Sequence, residues 1–185
     1  MQALKRLFAP RAAAEAGRRL YAVAAAHARQ PSLYRDAGVA DTPEGRFELY
    51  TLHVVVILHR LKGQGPQAAE TAQAVFDTFV KSLDDALREM GVGDLSVGKK
   101  MRKLGEAFYG RVKSYDEAFA ALPDRTALEA LVRRTVLAEA PGGDAAALAA
   151  YAAAAVAALR DQPLEAVFAG RLAWPSYGPS YGVTG

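Results

Sequence analysis

Apolar residues recur at helical spacing along two long stretches of the chain. After Gly65-Pro66 they repeat at alternating intervals of three and four residues. The repeating residues are Ala69, Ala72, Phe76, Phe79, Leu83, Ala86 and Met90, reinforced by Val75, Val80 and Leu87. This heptad spacing predicts an amphipathic helix with a core-facing seam that ends at Gly91.

The second stretch follows the short link from Val92 to Leu95, where Ser96 is a candidate N-cap. Its apolar positions again follow the helical period, and Pro123 ends them. They are Val97, Met101, Leu104, Phe108, Val112, Tyr115, Phe119 and Leu122. Two long helices joined by so short a link are expected to pack antiparallel.

Earlier in the chain, residues 11–28 read as an alanine-rich helix that ends before Pro31, and a loop follows as far as Asp41. Thr42-Pro43-Glu44 is typical of a helix start, with a capping hydroxyl, a proline and an acid in the first turn. Residues 47–61 are apolar nearly all round. Their β-branched run, residues 54–57, also suits a buried strand, but the stretch is too long for one strand, so a central helix is preferred.

The C-terminal third predicts two capped helices and a final turn. Asp124 precedes the first helix and Asp144 the second, and Pro163 starts the turn. After Trp174 the repetitive Pro-Ser-Tyr-Gly sequence predicts disorder. The expected fold is therefore all-α, a single domain of about six to seven helices. Its expected parts are a basic N-terminal helix (1–30), the main helical domain (31–172) and a flexible tail (173–185).

Composition supports this fold and narrows the chemistry. The chain has 185 residues, which favours one domain, and 40 of them are alanine, a strong helix former. Cysteine is absent, which excludes disulfides, thiolate metal sites and cysteine nucleophiles. No apolar run reaches the ~18–20 residues that span a bilayer. Residues 1–30 are rich in arginine and alanine, as in a transit peptide, but contain no serine, so we expect them to form the first helix.

Few residues suggest catalysis. Asp84-Asp85 resembles the magnesium-binding aspartate pairs of helical isoprenoid synthases, but Lys81 and Ser82 stand where a further acid would help. Arg88, four residues after Asp84, favours a local ion pair instead. His53 and His59 fall on different helix faces, and neither has a zinc-like partner pattern. The phosphate-binding, nucleotide-binding and serine-hydrolase glycine motifs are absent. We expect no enzyme activity, no metal and no cofactor.

A basic cluster at the start of the second long helix is the clearest candidate for binding. Over residues 96–113 six basic residues face one acid, Glu106. The basic residues are Lys99, Lys100, Arg102, Lys103, Arg111 and Lys113. Helix N-termini favour acids, so local stability does not explain this cluster, whereas binding of an anionic partner does. A solubilising face is the alternative. Gly105 and Gly110 weaken the helix, and close approach of another chain would explain them.

The segment Arg88-Glu89-Met90-Gly91-Val92-Gly93-Asp94, with flanking sequence from Gln73 to Arg111, resembles the ubiquinol–cytochrome c chaperone family. The stretch from Tyr50 to Leu61 is similar to that family as well, and the resemblance covers roughly residues 30–140. It implies an all-helical assembly factor that binds nascent or unassembled cytochrome b. It also implies a small partner protein, and peripheral contact with the inner membrane or the ribosome.

From this resemblance and the cluster we expect a client- or partner-binding surface on the two long helices. Its residues are Arg88, Met90, Asp94, Lys99, Lys100, Met101, Arg102, Lys103, Phe108, Tyr109, Arg111 and Lys113. Met90, Met101, Phe108 and Tyr109 would line an apolar groove, the basic residues would meet anionic lipid, ribosomal RNA or acidic client loops, and Arg88, Asp84 and Asp94 would order the glycine link.

The expected location is cytoplasmic and peripheral to the inner membrane in a bacterium, or the matrix side of the mitochondrial inner membrane in a eukaryote. No DNA binding is expected. A ribosome- or nucleic-acid-binding module that uses the basic face is an alternative function. A helical lipid-processing enzyme built on Asp84 and Asp85 is another.

Overall fold

The chain forms an all-α single domain, as predicted. The structure is a computed structural model that describes residues 2–178 and 180–181, with side chains from Arg11 onward. The described residues contain eight helices, where six to seven were expected, because two are single turns of five residues. The helices are α1 (Gln2–Ala28), α2 (Pro31–Arg35), α3 (Pro43–Leu61), α4 (Pro66–Glu89), α5 (Asp94–Ala120), α6 (Thr126–Arg134), α7 (Ala145–Arg160) and α8 (Leu164–Phe168).

Helix α3 lies at the centre and is packed by α1, α4, α5 and α7. Thr42 caps it as predicted, since its hydroxyl accepts a hydrogen bond from the Gly45 amide at 3.1 Å. The β-branched run 54–57 is buried within this helix, which confirms helix over strand. A helix surrounded by other helices on all sides is apolar nearly all round, and this explains the ambiguous pattern.

Helix α4 packs most extensively against α1, not against α5. Gly17 of α1 permits this contact, because a Cβ added there would lie 2.5 Å from the Ala74 Cβ. The predicted seam on α4 is therefore partly wrong: Ala69, Ala86 and Met90 are exposed. The stripe that meets the core is rotated to Ala68, Thr71, Val75, Phe79 and Leu87.

Helices α4 and α5 form an antiparallel hairpin, as expected. Arg88 and Asp94 touch beside the link, and Phe76 and Phe108, each farther from the link along its own helix, have ring centroids 5.3 Å apart. In each contact the two residues lie at similar distances from the link along the two helices, which defines an antiparallel pair. Gly93, not Ser96, is the N-cap residue of α5, so the helix begins earlier than predicted.

The C-terminal third also differs in part from expectation. The Asp144 carboxylate accepts a hydrogen bond from the Ala147 amide at 2.8 Å and caps α7, as predicted. The expectation of a flexible tail from residue 173 is wrong for its first part, because Trp174 and Tyr177 are buried, with 8% and 6% of their surface exposed. Residues 179 and 182–185 of that tail lie outside the described residues.

Candidate functional site

The candidate surface lies at the tip of the α4–α5 hairpin, which we define as residues 87–103. Arg88 holds the link in place, because its guanidinium donates to the Asp84 carboxylate at 2.7 Å and also to Asp94. The predicted ordering of the glycine link by these three residues is confirmed. Gly91, with φ of 78°, ends α4 in the left-handed region that favours glycine.

Large apolar side chains are exposed on this hairpin. Leu95 is fully exposed at 100%, Tyr109 at 64% and Met90 at 56%. Leu95, Arg102 and Tyr109 follow one another at intervals of seven residues and therefore share one face of α5. Only Leu87 and Val97 are buried at the tip, and neither belongs to the main core cluster. The tip thus presents apolar surface outside the core.

Four cations stand beside these apolar residues. Lys99, Lys100, Arg102 and Lys103 are exposed, and none has an acidic partner within ion-pair distance among the described side chains. Lys113, further along α5, is exposed as well. Since no internal ion pair uses these charges, they remain available to an anionic partner.

Two expected site residues have structural roles instead. Phe108 is only 2% exposed and packs on Phe79 with ring centroids 5.1 Å apart, so it belongs to the core and does not line a groove. Arg111 forms a bidentate pair with Glu48 of α3, with a shortest N–O distance of 2.6 Å. This hydrogen bond raises the pKa of Arg111 and neutralises it internally. Met101 is half-buried.

The aspartate pair forms local ion pairs, as predicted. Asp84 pairs with Arg88 and Asp85 with Lys81, each at 2.7 Å and each four residues apart on α4. Within the described part of the chain, no group of three histidine, aspartate or glutamate residues is placed to hold a metal ion. These contacts account for both carboxylates without a bound cation.

His53 is buried and satisfied in the core. Its Nδ1 donates to the Leu49 carbonyl at 2.7 Å, so its Nε2 accepts from the Tyr151 hydroxyl at 2.9 Å. Burial lowers the pKa of His53 to about 4. His27 lies close to His53, although the two are far apart in sequence, because both imidazoles pack against Trp174, with ring centroids 5.3 and 5.2 Å from it. The sequence did not predict this cluster, because its residues lie far apart along the chain.

Gly105 and Gly110, the two glycines in the middle of α5, have no packing role within the described chain. A Cβ added at Gly105 or Gly110 would meet no atom within 4 Å. Both therefore face open space, which leaves room for another molecule to approach this side of α5. The fully exposed Leu95 was missed as a site residue, although its place directly after the glycine link put it at the tip.

The fold and this hairpin define an all-helical protein whose distinctive surface suits contact with another molecule. The family model described as ubiquinol-cytochrome C chaperone matches residues 35–174. The crystal structure of the Cbp3 homolog from Brucella abortus is similar to this chain at a TM-score of 0.81 and 37% sequence identity, covering 95% of this chain and 96% of that chain. No curated protein sequence matches.

The chain belongs to the ubiquinol–cytochrome c chaperone family, which confirms the resemblance seen in its sequence. Membership is consistent with a non-enzymatic role in assembly of the ubiquinol–cytochrome c reductase complex. Among the described residues, no helix is both long enough and apolar enough to cross a bilayer.

Proposed function

We propose that this protein is an assembly chaperone that binds newly synthesised cytochrome b and supports biogenesis of ubiquinol–cytochrome c reductase. The observation that carries the proposal is the α4–α5 hairpin, where Met90 and Leu95 at the tip and Tyr109 further along α5 are exposed, and where four cations at the tip have no ion pair among the described residues. The folding of the domain does not require this combination of exposed apolar and basic side chains. A client with apolar segments and polar loops matches both the apolar side chains and the cations of this surface.

In the proposed complex the apolar side chains contact a hydrophobic segment of the client. Methionine suits this task because its unbranched, polarizable side chain adapts to irregular surfaces. The cations meet acidic client loops, and the Arg88–Asp94 contact holds the tip in a fixed shape before binding. The proposed contact residues are Met90, Leu95, Met101, Tyr109, Lys99, Lys100, Arg102, Lys103 and Lys113.

The proposed place of action is the cytoplasmic side of the inner membrane, or the matrix side in a eukaryote. Each lysine or arginine near an anionic leaflet contributes about 1 kcal/mol, so four exposed cations support peripheral attachment without a membrane span. We propose that a small partner protein acts together with this chain, as the resemblance to the family implies. The open flank at Gly105 and Gly110 allows its close approach.

The test is complementation of a strain that lacks the gene. Lys99→Glu with Lys103→Glu is expected to reduce assembled b-type cytochrome and the amount of cytochrome b that co-purifies, each at least fivefold, with an unchanged melting temperature. The matched control reverses Arg125 and Arg134, two exposed arginines at the two ends of α6 and outside the hairpin tip, and should behave as wild type. Wild-type levels of both readouts in the tip variant would refute the proposed site.

A second candidate function is ribosome or RNA binding by the same cations, favoured by the exposed Tyr109 ring, on which a base can stack. Phosphate binding releases counterions, so this affinity should fall steeply with salt and ignore Leu95→Ala. Loss of co-purified cytochrome b in Leu95→Ala, with ribosome sedimentation unchanged, would favour the client-binding function.

A further inference from the structure

The C-terminal strap, which we define as residues 171–178, lies in extended form across α1, α2, α3 and α7. It follows Gly170, whose φ of 73° ends α8 and turns the chain away from the helix. The structure describes no helix or strand within the strap. Its backbone is recognised by side chains of the helical body, and this is how a protein binds an extended peptide.

Two clamps hold the strap backbone, one at each end. The Gln162 side chain donates to the Arg171 carbonyl at 2.7 Å and accepts from the Ala173 amide at 2.8 Å. At the other end, the Gln30 side chain accepts from the Tyr177 amide at 3.1 Å, and the Ser32 hydroxyl donates to the Tyr177 carbonyl at 3.0 Å. Both clamps engage N–H and C=O groups, which every peptide has, so they give affinity without side-chain selection.

Selection comes from an aromatic pocket between the clamps. Trp174 packs against His27 and His53, and its Nε1–H donates to the Tyr151 hydroxyl at 2.9 Å. That hydroxyl already donates to the buried His53 Nε2, so its remaining lone pairs point to the place of the indole N–H. An aromatic pocket with one acceptor aimed at an indole N–H selects a tryptophan over other residues.

We propose that this groove is a peptide-binding site for an extended, tryptophan-bearing segment, and that the strap occupies it in cis as a displaceable ligand. The strap follows α8, the last helix of the described residues, so its departure from the groove would interrupt none of the described helices. A partner segment with the same chemistry would then take the same clamps and pocket. This site is separate from the hairpin tip and does not depend on the identity of the client.

The groove can be tested with a fluorescein-labelled peptide of residues 171–178 and the full-length chain. An attached strap competes at an effective concentration of about 1 mM, so a peptide with a Kd near ~10 μM would bind the wild type about 100-fold more weakly than an open groove. Trp174→Ala, which removes the anchor of the attached strap, should bind the peptide at least tenfold more tightly than wild type. The matched control, Arg171→Ala, changes an exposed strap residue and should stay at the wild-type level.

Two further measurements keep the test decisive. If Trp174→Ala does not fold, a protease site inserted between Gly170 and Arg171 is cut after folding of the otherwise native chain, and the released strap should exchange for labelled peptide in excess. Failure of exchange there, or of binding in a folded Trp174→Ala, would show that the strap is a fixed part of the core. Equal binding of a peptide with alanine in place of tryptophan would also overturn the proposal, because the pocket would then select nothing.

Discussion

Burial of a neutral histidine makes the stability of this protein depend on pH, and His53 allows the effect to be predicted. Its side chain is fully buried, and its pKa is lowered to about 4 from 6.5 by burial first, with a smaller contribution from His27. The unfolded chain protonates near pH 6.5 while the folded chain does not. The unfolded state therefore binds more protons as the pH falls, and stability decreases between pH 6.5 and 4.

The size of the loss follows from those two values. Between pH 7.5 and pH 5, linkage gives a decrease of about 2 kcal/mol in the free energy of unfolding. For a chain of this size that corresponds to a fall of roughly 4–8 °C in melting temperature. The range stops at pH 5 because carboxylates with lowered pKa values, such as Asp116, lose their stabilising contribution only at more acidic pH.

The assay is urea denaturation at pH 7.5, 6.5, 5.75 and 5.0. His53→Gln lowers stability at every pH but should flatten the profile, because glutamine does not titrate. The control, His59→Gln, changes a histidine that is half-buried and contacts Asp116 at 3.0 Å, and it should keep the wild-type decrease. A decrease of the full size in His53→Gln would refute the assignment and place the acid sensitivity elsewhere.

Three further outcomes are expected. Phe79→Ala should lower the free energy of unfolding by about 3–5 kcal/mol, because the Phe79 ring is 1% exposed and packs on Phe108. Phe76 is half-buried, so Phe76→Ala should lower it clearly less. Equal losses of stability in thermal melts would contradict the observed core. Asp144→Ala should cost about 1 kcal/mol in the same melts through loss of the α7 cap, and no change would argue against that cap. Glu48→Gln should cost about 2 kcal/mol by leaving Arg111 without its partner charge, and a double-mutant cycle with Arg111→Met should recover part of that loss.

Much of the candidate site could be predicted from local sequence, and some of it could not. The run of cations at residues 99–103 and the link between α4 and α5 are local features, and their exposure and ordering agree with the prediction. Arg111 and Phe108 share the same segment, but their partners, Glu48 and Phe79, come from other helices. Only the tertiary contacts separate these two internal residues from their exposed neighbours.

The long helices and the caps of α3 and α7 were determined by the sequence alone, because hydrophobic period, capping hydroxyls and carboxylates, and glycine or proline stops act within a few residues. The short helix α2 was expected to be a loop, and the N-caps of α5 and α6 are Gly93 and Arg125, not the predicted Ser96 and Asp124. The tertiary structure decided which face of α4 is buried, since Gly17 lets α1 approach closely enough to become its main neighbour. It also decided the place of Trp174, which a Pro-Ser-Tyr-Gly context marked as disordered. Its pocket is formed by His27, His53 and Tyr151, and residues from three separate helices leave no local pattern when only folding brings them together.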